Sequence, residues 1–318
     1  MTSPPYTPFH LIKTHNPTTS YVLSILISPD GTLLAAPTSC GTVHLYDATT
    51  SEHVGGINVG GIKEAVFDKR DNVVWCGGDE VSVWDVREGK CSKRFQAGAP
   101  VLSLDVNSSQ TMVAAGTELV GEDAKICIWD IRGGPTPLTE FTECHSDDIT
   151  QIKFHPTHPT ALASGSTDGL MCLYALTTPT EDDALEHVFK SDSISKIGFF
   201  GPGGTYLYAL SHMETLSLYT MTGDTVREYG DVRGASELAA LEYCIDATYD
   251  PHGERLFVVG GDQSGNMCAL NVGMGGLELV HTLNGGHSDI VRGVLWDVGG
   301  GRLVSGGEDG KVCFWRNA

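Results

Sequence analysis

The stretch KVCFW, Lys311–Trp315, reads as a β-strand close to the end of the chain. Val312 and Phe314 alternate along it with Lys311, Cys313 and Trp315. The sequence EDG at 308–310, just before the strand, is typical of a tight turn. A strand at the edge of a sheet leaves a row of unpaired backbone groups unless another strand covers it. Only three residues follow Trp315, so a partner has to come from elsewhere in the chain.

The same strand recurs along the sequence at intervals of 38, 45, 45, 45, 51 and 45 residues. Its closing positions are Tyr46, Trp84, Trp129, Tyr174, Tyr219, Leu270 and Trp315. Two earlier strands precede each copy, as ITQIKF (149–154) and ALASG (161–165) precede LMCLYA (170–175), and a poorer strand such as EHVFK (186–190) follows. Because turn sequences join these strands, the chain is predicted to repeat a four-stranded unit seven times.

A period of about 40–45 residues with a closing Trp-Asp pair is typical of WD-repeat propeller blades, and the chain resembles that family over nearly its whole length. VSVWD (81–85) and ICIWD (126–130) keep the dipeptide, and HLYD (44–47) nearly keeps it. The resemblance implies an all-β fold, a single seven-bladed WD40 β-propeller over residues 1–318. The expected blades are approximately 21–60, 61–97, 100–143, 145–190, 193–230, 244–284, and 287–316 together with 8–13.

The segment FHLIK, Phe9–Lys13, precedes the first complete blade and belongs to none. The seventh blade has three strands of its own and no fourth. We therefore expect the N-terminal segment to become the outer strand of blade seven and to close the propeller, which removes the exposed edge.

Three stretches are similar to one branch of the WD-repeat family: residues 115–132, 145–170 and 285–310. That resemblance implies a relative but no defined molecular activity.

The chain carries 40 acidic and 20 basic residues, for a formal net charge of −20. Such a balance argues against direct binding of nucleic acid, because phosphate recognition needs a positive surface. It permits a basic protein partner, such as a histone tail or a ribosomal protein. The alternative is that the acidity serves only solubility.

No apolar run approaches the roughly 18 residues of a membrane helix, and the N-terminal sequence lacks the pattern of a secretory signal. We therefore expect a soluble monomer in the cytoplasm, the nucleus or both, without a membrane partner.

No sequence motif predicts an enzyme, a cofactor or a metal. P-loop, GxGxxG, HExxH and GxSxG motifs are absent from the sequence, and its nine cysteines include no CxxC pair. Four cysteines share one strand position and are predicted to be small buried side chains: Cys127, Cys172, Cys268 and Cys313. His155 and His158 have a spacing that two metal ligands can have, but their Pro-bounded segment favours an ordinary surface loop.

Two sets of residues resemble a Ser-His-Asp catalytic triad. The first is His287, Ser305, Asp309 and Trp315, and the second is His145, Ser164, Asp168 and Tyr174. In the WD-repeat family such residues form a buried hydrogen-bond network from the indole through Ser and His to Asp, which the resemblance implies here. Since an active site would occur once and this set occurs twice, a structural role is expected.

Loops that depart from the repeat are the candidate partner-binding elements, because propellers present loops from a rigid scaffold. Six acidic residues in such loops are expected to share one face: Glu118, Glu122, Asp123, Asp147, Asp148 and Asp289. The insertion at 230–243 accounts for the longest interval. Within it, Ser236 and Glu237 are predicted to begin a capped helical turn.

The motifs WDVR (84–87) and WDIR (129–132) allow a second function. Some WD-repeat proteins with this ending in adjacent blades are substrate receptors of cullin-4 ubiquitin ligases, and the arginine contacts the ligase adaptor. The resemblance would give that role to Arg87 and Arg132, on the face opposite the acidic loops. The alternative is that each Asp–Arg pair only caps a turn.

Overall fold

The computed structural model describes residues 9–68, 72–235 and 241–317. The described strands form seven four-stranded sheets. Helical structure in these ranges is limited to α1 (Glu181–Ala184) and two short 3₁₀ segments, Pro202–Gly204 and Val232–Gly234. The predicted all-β class is confirmed.

Within the described ranges, no helix has the length and apolar composition that would be needed to cross a bilayer.

By backbone proximity the chain divides into two compact units. The first contains residues 1–27, 32–56 and 231–318, and the second contains residues 28–31 and 57–230. A single propeller over residues 1–318 stays a prediction.

The first unit holds three sheets. Its strands, numbered in chain order, are β1 (Phe9–His15), β2 (Leu26–Ile27), β3 (Leu33–Pro37), β4 (Thr42–Asp47), β5 (His53–Asn58), β22 (Tyr243–Asp250), β23 (Arg255–Gly261), β24 (Met267–Gly273), β25 (Gly276–Leu283), β26 (Val291–Asp297), β27 (Arg302–Gly307) and β28 (Val312–Asn317). The sheets have the orders β2-β3-β4-β5, β22-β23-β24-β25 and β1-β28-β27-β26.

The second unit holds four sheets, each built from four strands consecutive in sequence. Its strands are β6 (Glu64–Phe67), β7 (Asn72–Gly77), β8 (Glu80–Asp85), β9 (Lys90–Gln96), β10 (Val101–Val106), β11 (Met112–Thr117), β12 (Ile126–Asp130), β13 (Thr139–Phe141), β14 (Gln151–Phe154), β15 (Ala161–Gly165), β16 (Leu170–Ala175), β17 (Leu185–Lys190), β18 (Ile194–Phe200), β19 (Tyr206–Ser211), β20 (Thr215–Thr220) and β21 (Thr225–Asp231).

Burial explains why the inner strands were easier to identify than the outer ones. Strand β12 is buried at every position except Asp130, and β15 is buried from Leu162 onward. Such strands, covered on both faces, have nearly continuous apolar sequences. The outer strand β9 instead alternates between exposed and covered positions, as expected for a strand with one solvated face. The four cysteines predicted to be buried are all at most 1% exposed.

The partner of the last strand is β1, as the sequence predicts. The two strands pair antiparallel from Phe9 opposite Asn317 to His15 opposite Val312, with a bulge at Ile12. Phe9 is 7% exposed and packs edge-on against Trp296 and His281, with ring centroids 5.9 and 4.9 Å away. Backbone pairing and an aromatic anchor together hold β1 on the sheet.

Several predicted boundaries were wrong, for identifiable reasons. Strand β14 begins at Gln151 and not at 149, because the Ile149 amide donates to the carbonyl oxygen of Thr117 outside the ladder. Strands β1 and β28 run to His15 and Asn317, beyond the predicted 13 and 315, because their ladder continues. In the 230–243 insertion the structure shows a 3₁₀ turn at Val232–Gly234. Ser236 and Glu237 lie outside the described residues.

Removing residues 1–14 should strongly destabilise the protein. Each lost backbone hydrogen bond costs about 1 kcal/mol net, and losing a buried phenylalanine side chain costs about 3–5 kcal/mol. We expect aggregation or a large fall in melting temperature, measured by light scattering and scanning calorimetry. A truncation of residues 1–8 keeps β1 and is the control. Equal melting of the two truncations would contradict the closing role of β1.

Acid should weaken the contact between β1 and its sheet through His281. Burial lowers the pKa of His281 to about 4, against about 6.5 in the unfolded chain. Since the folded state favours the neutral ring, this stabilisation is complete above pH 6.5 and is lost as the pH falls toward 4. At pH 5 the loss is about 2 kcal/mol.

The measurement compares urea unfolding of the intact protein and the His281→Gln variant at pH 7.5 and pH 5. The variant should lose less stability on acidification by roughly that amount. Identical losses would show that the buried imidazole does not make stability pH-dependent.

Candidate interaction site

The enlarged loop between β11 and β12, residues 118–125, is a compact turn in the second unit. Val120 and Asp123 form a bridge, with the Val120 amide donating to the Asp123 carbonyl at 3.0 Å. Gly121 between them has φ = 73°, a conformation that favours glycine. The turn leaves the Val120 side chain 55% exposed beside the exposed carboxylates of Glu122 and Asp123. It therefore presents an apolar tip flanked by negative charge.

The loop before β14 is attached directly to this turn. The Leu119 amide donates to Asp148 Oδ1 at 2.8 Å, and the Ile149 amide donates to the Thr117 carbonyl at 3.0 Å. Asp148 was predicted to bind a partner, but its carboxylate accepts a hydrogen bond that holds the two loops together. Asp147 lies beside it and accepts the Asp148 amide at 2.8 Å.

The carboxylates at this site are not neutralised locally. Among the described residues, no lysine or arginine nitrogen forms an ion pair with Glu118, Glu122, Asp123 or Asp147. Lys125, the nearest cation in the sequence, is 3.5 Å from Glu140. We call Glu118, Glu122, Asp123, Asp147 and Asp148 the acidic loop cluster.

Asp289 belongs to the first unit. It follows His287 by two residues, and its side chain accepts a hydrogen bond from the Ile290 amide at 2.8 Å. Asp147 likewise follows His145 by two residues and accepts a hydrogen bond from the amide of Asp148. The repeat therefore gives Asp289 and Asp147 the same local position. A common face for all six predicted acidic residues stays a prediction.

The first Ser-His-Asp set forms a continuous hydrogen-bond network on the sheet that contains β1. Trp315 Nε1 donates to Ser305 Oγ at 2.9 Å, Ser305 Oγ lies 2.8 Å from His287 Nε2, and His287 Nδ1 lies 3.0 Å from Asp309 Oδ1. Burial lowers the pKa of His287 despite the neighbouring carboxylate. Burial would raise the pKa of Asp309, but hydrogen bonds from His287 and the Ser288 amide outweigh it and lower the value to about 2.

The second set repeats two of the three contacts. His145 Nε2 lies 2.6 Å from Ser164 Oγ, and His145 Nδ1 lies 3.1 Å from Asp168 Oδ2. Tyr174 replaces the tryptophan, and its buried hydroxyl lacks a hydrogen-bond partner in the described part of the chain. Ser164 and Ser305 are both 0% exposed, so neither hydroxyl is accessible to a substrate.

Sequence reasoning missed a polar cluster on the first strands of three sheets in the second unit. Glu64 accepts the Leu104 amide and the side-chain amide of Gln151, both at 3.0 Å. Asp105 accepts the Phe154 amide at 2.8 Å, and burial raises its pKa. These carboxylates connect β6, β10 and β14. In the sequence, the signal for this cluster was a charged residue within an otherwise apolar strand, as Asp105 is within VLSLDV.

Glu181 of α1 was also missed. Its carboxylate accepts the backbone amides of Thr142, Glu143 and Cys144 at 2.6–3.1 Å. This contact fixes the segment that leads into His145.

The segment that contains His155 and His158 is a loop, as predicted, and His158 is exposed, but His155 is buried. His155 is 2% exposed, its Nε2 lies 3.1 Å from the Gly204 carbonyl, and its Nδ1 accepts the His158 amide at 3.0 Å. Both ring nitrogens therefore take part in internal hydrogen bonds.

The two WDxR arginines occupy capped turns. Asp85 and Asp130 each accept the amide of the arginine two residues later at 2.8 Å. The Arg132 guanidinium also folds back on Asp130, with Nε and Nη2 at 3.1 and 3.0 Å. Arg233 makes the same two-pronged contact with Asp231, outside any WDxR motif. The turn-capping alternative thus accounts for this geometry without an adaptor.

We propose that the His287 network is structural, and His287→Ala tests this. The substitution leaves Ser305 and Asp309 without their shared partner, and each unsatisfied buried polar group costs roughly 1–3 kcal/mol. Urea unfolding should show that loss, whereas the exposed His212→Ala control should change stability by under about 0.5 kcal/mol. Full stability combined with loss of esterase activity toward p-nitrophenyl acetate would instead support a catalytic role.

Comparison with known proteins agrees with the repeat geometry. The WD domain, G-beta repeat family (WD40) matches residues 6–47, 89–130, 135–174 and 277–316. The chain is 31% identical to the WD repeat-containing protein 89 homolog of Dictyostelium discoideum, over 97% of this chain and 86% of the relative. It is also 31% identical to WD repeat-containing protein GTS1 of Arabidopsis thaliana, over 93% of this chain and 81% of the relative.

A more distant relative is the human U3 small nucleolar RNA-associated protein 18 homolog, 26% identical over 60% of this chain and 38% of the relative. The predicted resemblance to the WD-repeat family is confirmed by the repeat matches and by the similarity to the Dictyostelium protein, which extends over 97% of this chain. The chain belongs to the WD40 repeat family, whose fold is the β-propeller.

Proposed function

We propose that this protein is a non-enzymatic interaction scaffold whose acidic loop cluster binds a basic segment of a protein partner. The observation that carries the proposal is the attachment of the 118–125 turn to the loop before β14 through the Leu119–Asp148 hydrogen bond of 2.8 Å. Because the two loops are already joined before a partner arrives, binding does not have to fix them relative to each other, and its entropic cost is lower.

The charge and shape of the cluster favour a basic ligand with an apolar contact. Clustered carboxylates without paired cations attract a positive segment and raise its association rate. The exposed Val120 side chain supplies an apolar contact at the tip of the turn. Lysine- and arginine-rich segments of histones or ribosomal proteins have the required chemistry.

The name of one relative supports a nucleolar setting for such a partner. One relative is by its name associated with U3 small nucleolar RNA, so a nucleolar, and hence nuclear, setting is consistent with the proposal. Binding would be to a basic protein and not to the RNA, since a net charge of −20 opposes contact with phosphates.

The test replaces Glu118, Glu122, Asp123 and Asp147 with Gln or Asn and keeps Asp148, which holds the loops together. Proteins captured from native cell extract are quantified by mass spectrometry at several salt concentrations. We expect basic proteins to dominate the capture by the intact protein, to decrease with salt, and to be lost from the variant. Melting temperature should not fall, because none of the four side chains is buried.

The matched control neutralises four exposed carboxylates of the same unit: Glu88, Asp182, Glu186 and Glu228. It changes net charge equally and should keep the partner. Equal loss in both variants would mean that overall acidity, and not this site, is responsible. Loss only in an Arg87→Ala/Arg132→Ala variant, with cullin-4 and its adaptor in the capture, would support the ligase-receptor alternative.

A further inference from the structure

A groove in the first unit has the opposite electrostatic character from the rest of the chain. It has a volume of about 290 Å³ and lies between β1, β27, β28 and the turn at 48–51 that follows β4. Lys13, Arg302 and Arg316 line it, and no acidic residue does. The chain has twice as many acidic as basic residues, so three cations around one groove need an explanation.

Strand register places two of these cations in an unfavourable arrangement. Arg302 on β27 and Arg316 on β28 are direct cross-strand partners, so their side chains leave the same face of the sheet. Like charges directly opposite each other destabilise a strand pair. His10 on β1 is opposite Arg316 on the other side, and it adds no negative charge. The register therefore places a carboxylate, Asp297, opposite Arg302 on its other side and none opposite Arg316.

Nearby carboxylates neutralise the groove only in part. Lys13 Nζ is 2.6 Å from Glu52 Oε1. Asp297 accepts the Gly300 amide at 2.9 Å, and no ion pair joins it to Arg302 within the described ranges. Arg302 itself makes one long contact, 3.4 Å, to the Ala48 carbonyl. Arg316 is exposed and forms no ion pair with any carboxylate in residues 9–68, 72–235 and 241–317. At least two guanidinium groups thus remain available to an anionic ligand.

The accessible apolar side chain at the groove is Ile12, at the bulge of β1, which is 62% exposed. Leu303, Phe314 and Trp315 also belong to the lining, but their side chains are at most 5% exposed and pack inside the unit. A bulge places one residue outside the ladder, and here that residue adds an apolar side chain to the rim of the groove.

We propose that this groove binds a short acidic segment of a partner protein, with an aliphatic or aromatic side chain against Ile12 and flanking carboxylates on Arg302 and Arg316. Guanidinium groups bind carboxylates through two parallel hydrogen bonds, which suits a peptide ligand better than a diffuse negative surface. The site is separate from the acidic loop cluster and selects the opposite charge. One scaffold could then hold a basic and an acidic partner.

The experiment selects ligands from a random seven-residue peptide library displayed on phage, using the full-length protein. Peptides retained by the Arg302→Gln/Arg316→Gln variant are removed from the pool. We expect the remaining sequences to contain two or more Asp or Glu residues around an apolar residue. A recovered peptide should bind the variant at least tenfold more weakly than the intact protein, and its affinity should fall as salt rises.

Two controls keep this result interpretable. Arg87→Gln/Arg132→Gln removes two charges from the other unit and should leave peptide affinity unchanged. The Arg302→Gln/Arg316→Gln variant should melt close to the intact protein, because both side chains are exposed and neither forms an ion pair within the described ranges. Ile12→Ser tests the apolar contact and should weaken binding while the arginines remain.

Recovered peptides that are neutral or basic, or that bind both arginine variants equally, would overturn the proposal. So would self-association of the intact protein, measured by sedimentation, that disappears in Arg302→Gln/Arg316→Gln. That outcome would identify a second copy, offering an acidic turn such as 118–125, as the occupant. If Arg302→Gln/Arg316→Gln loses peptide binding but still captures basic proteins, the groove and the acidic loop cluster act independently, and the two proposals can fail separately.

Discussion

The pairing of β1 with β28 is the constraint on which the sheet of the last three strands depends. Without it, the backbone groups of Val312–Asn317 on one side would lack strand partners, and Phe9 would leave the aromatic cluster with Trp296 and His281. The Trp315–Ser305–His287–Asp309 network lies on the same sheet. A segment from the beginning of the chain thus stabilises the end of it.

The same strand contributes to recognition. Its bulge exposes Ile12, and its next residue, Lys13, lines the basic groove with Arg302 and Arg316. The pairing of β1 with β28 therefore both covers the edge of the sheet and forms one side of the groove. In the second unit the acidic loop cluster also depends on contacts between segments, because hydrogen bonds from Leu119 to Asp148 and from Ile149 to Thr117 join the loops of two sheets.

Sequence periodicity predicted the repeating elements well because the inner strands are buried on both faces. The predicted strand LMCLYA matches β16, Leu170–Ala175, at both ends. The pairing of β1 was predictable because an edge strand needs a partner. The register of β1 was not, since the bulge at Ile12 depends on hydrogen bonds between distant segments. The burial of His155 was not predicted, because no local signal revealed the distant Gly204 carbonyl to which its ring is hydrogen-bonded.

Acidic residues were harder to interpret than apolar ones, because a carboxylate can serve solubility, structure or binding. Asp148, Glu64 and Asp105 accept internal hydrogen bonds, whereas Glu122 and Asp123 remain exposed. Charge alone did not separate these roles. The distinction comes from which backbone amides lie within reach of each side chain.

Amide hydrogen exchange of the intact protein, resolved by mass spectrometry, tests the central claim about β1 most directly. If β1 is a full member of its sheet, peptides covering Phe9–His15 should exchange as slowly as those covering Arg302–Gly307, because both open only when the sheet opens. Exchange of Phe9–His15 at the rate of an unstructured chain, with Arg302–Gly307 still protected, would contradict both the closure of the sheet and the groove built on it.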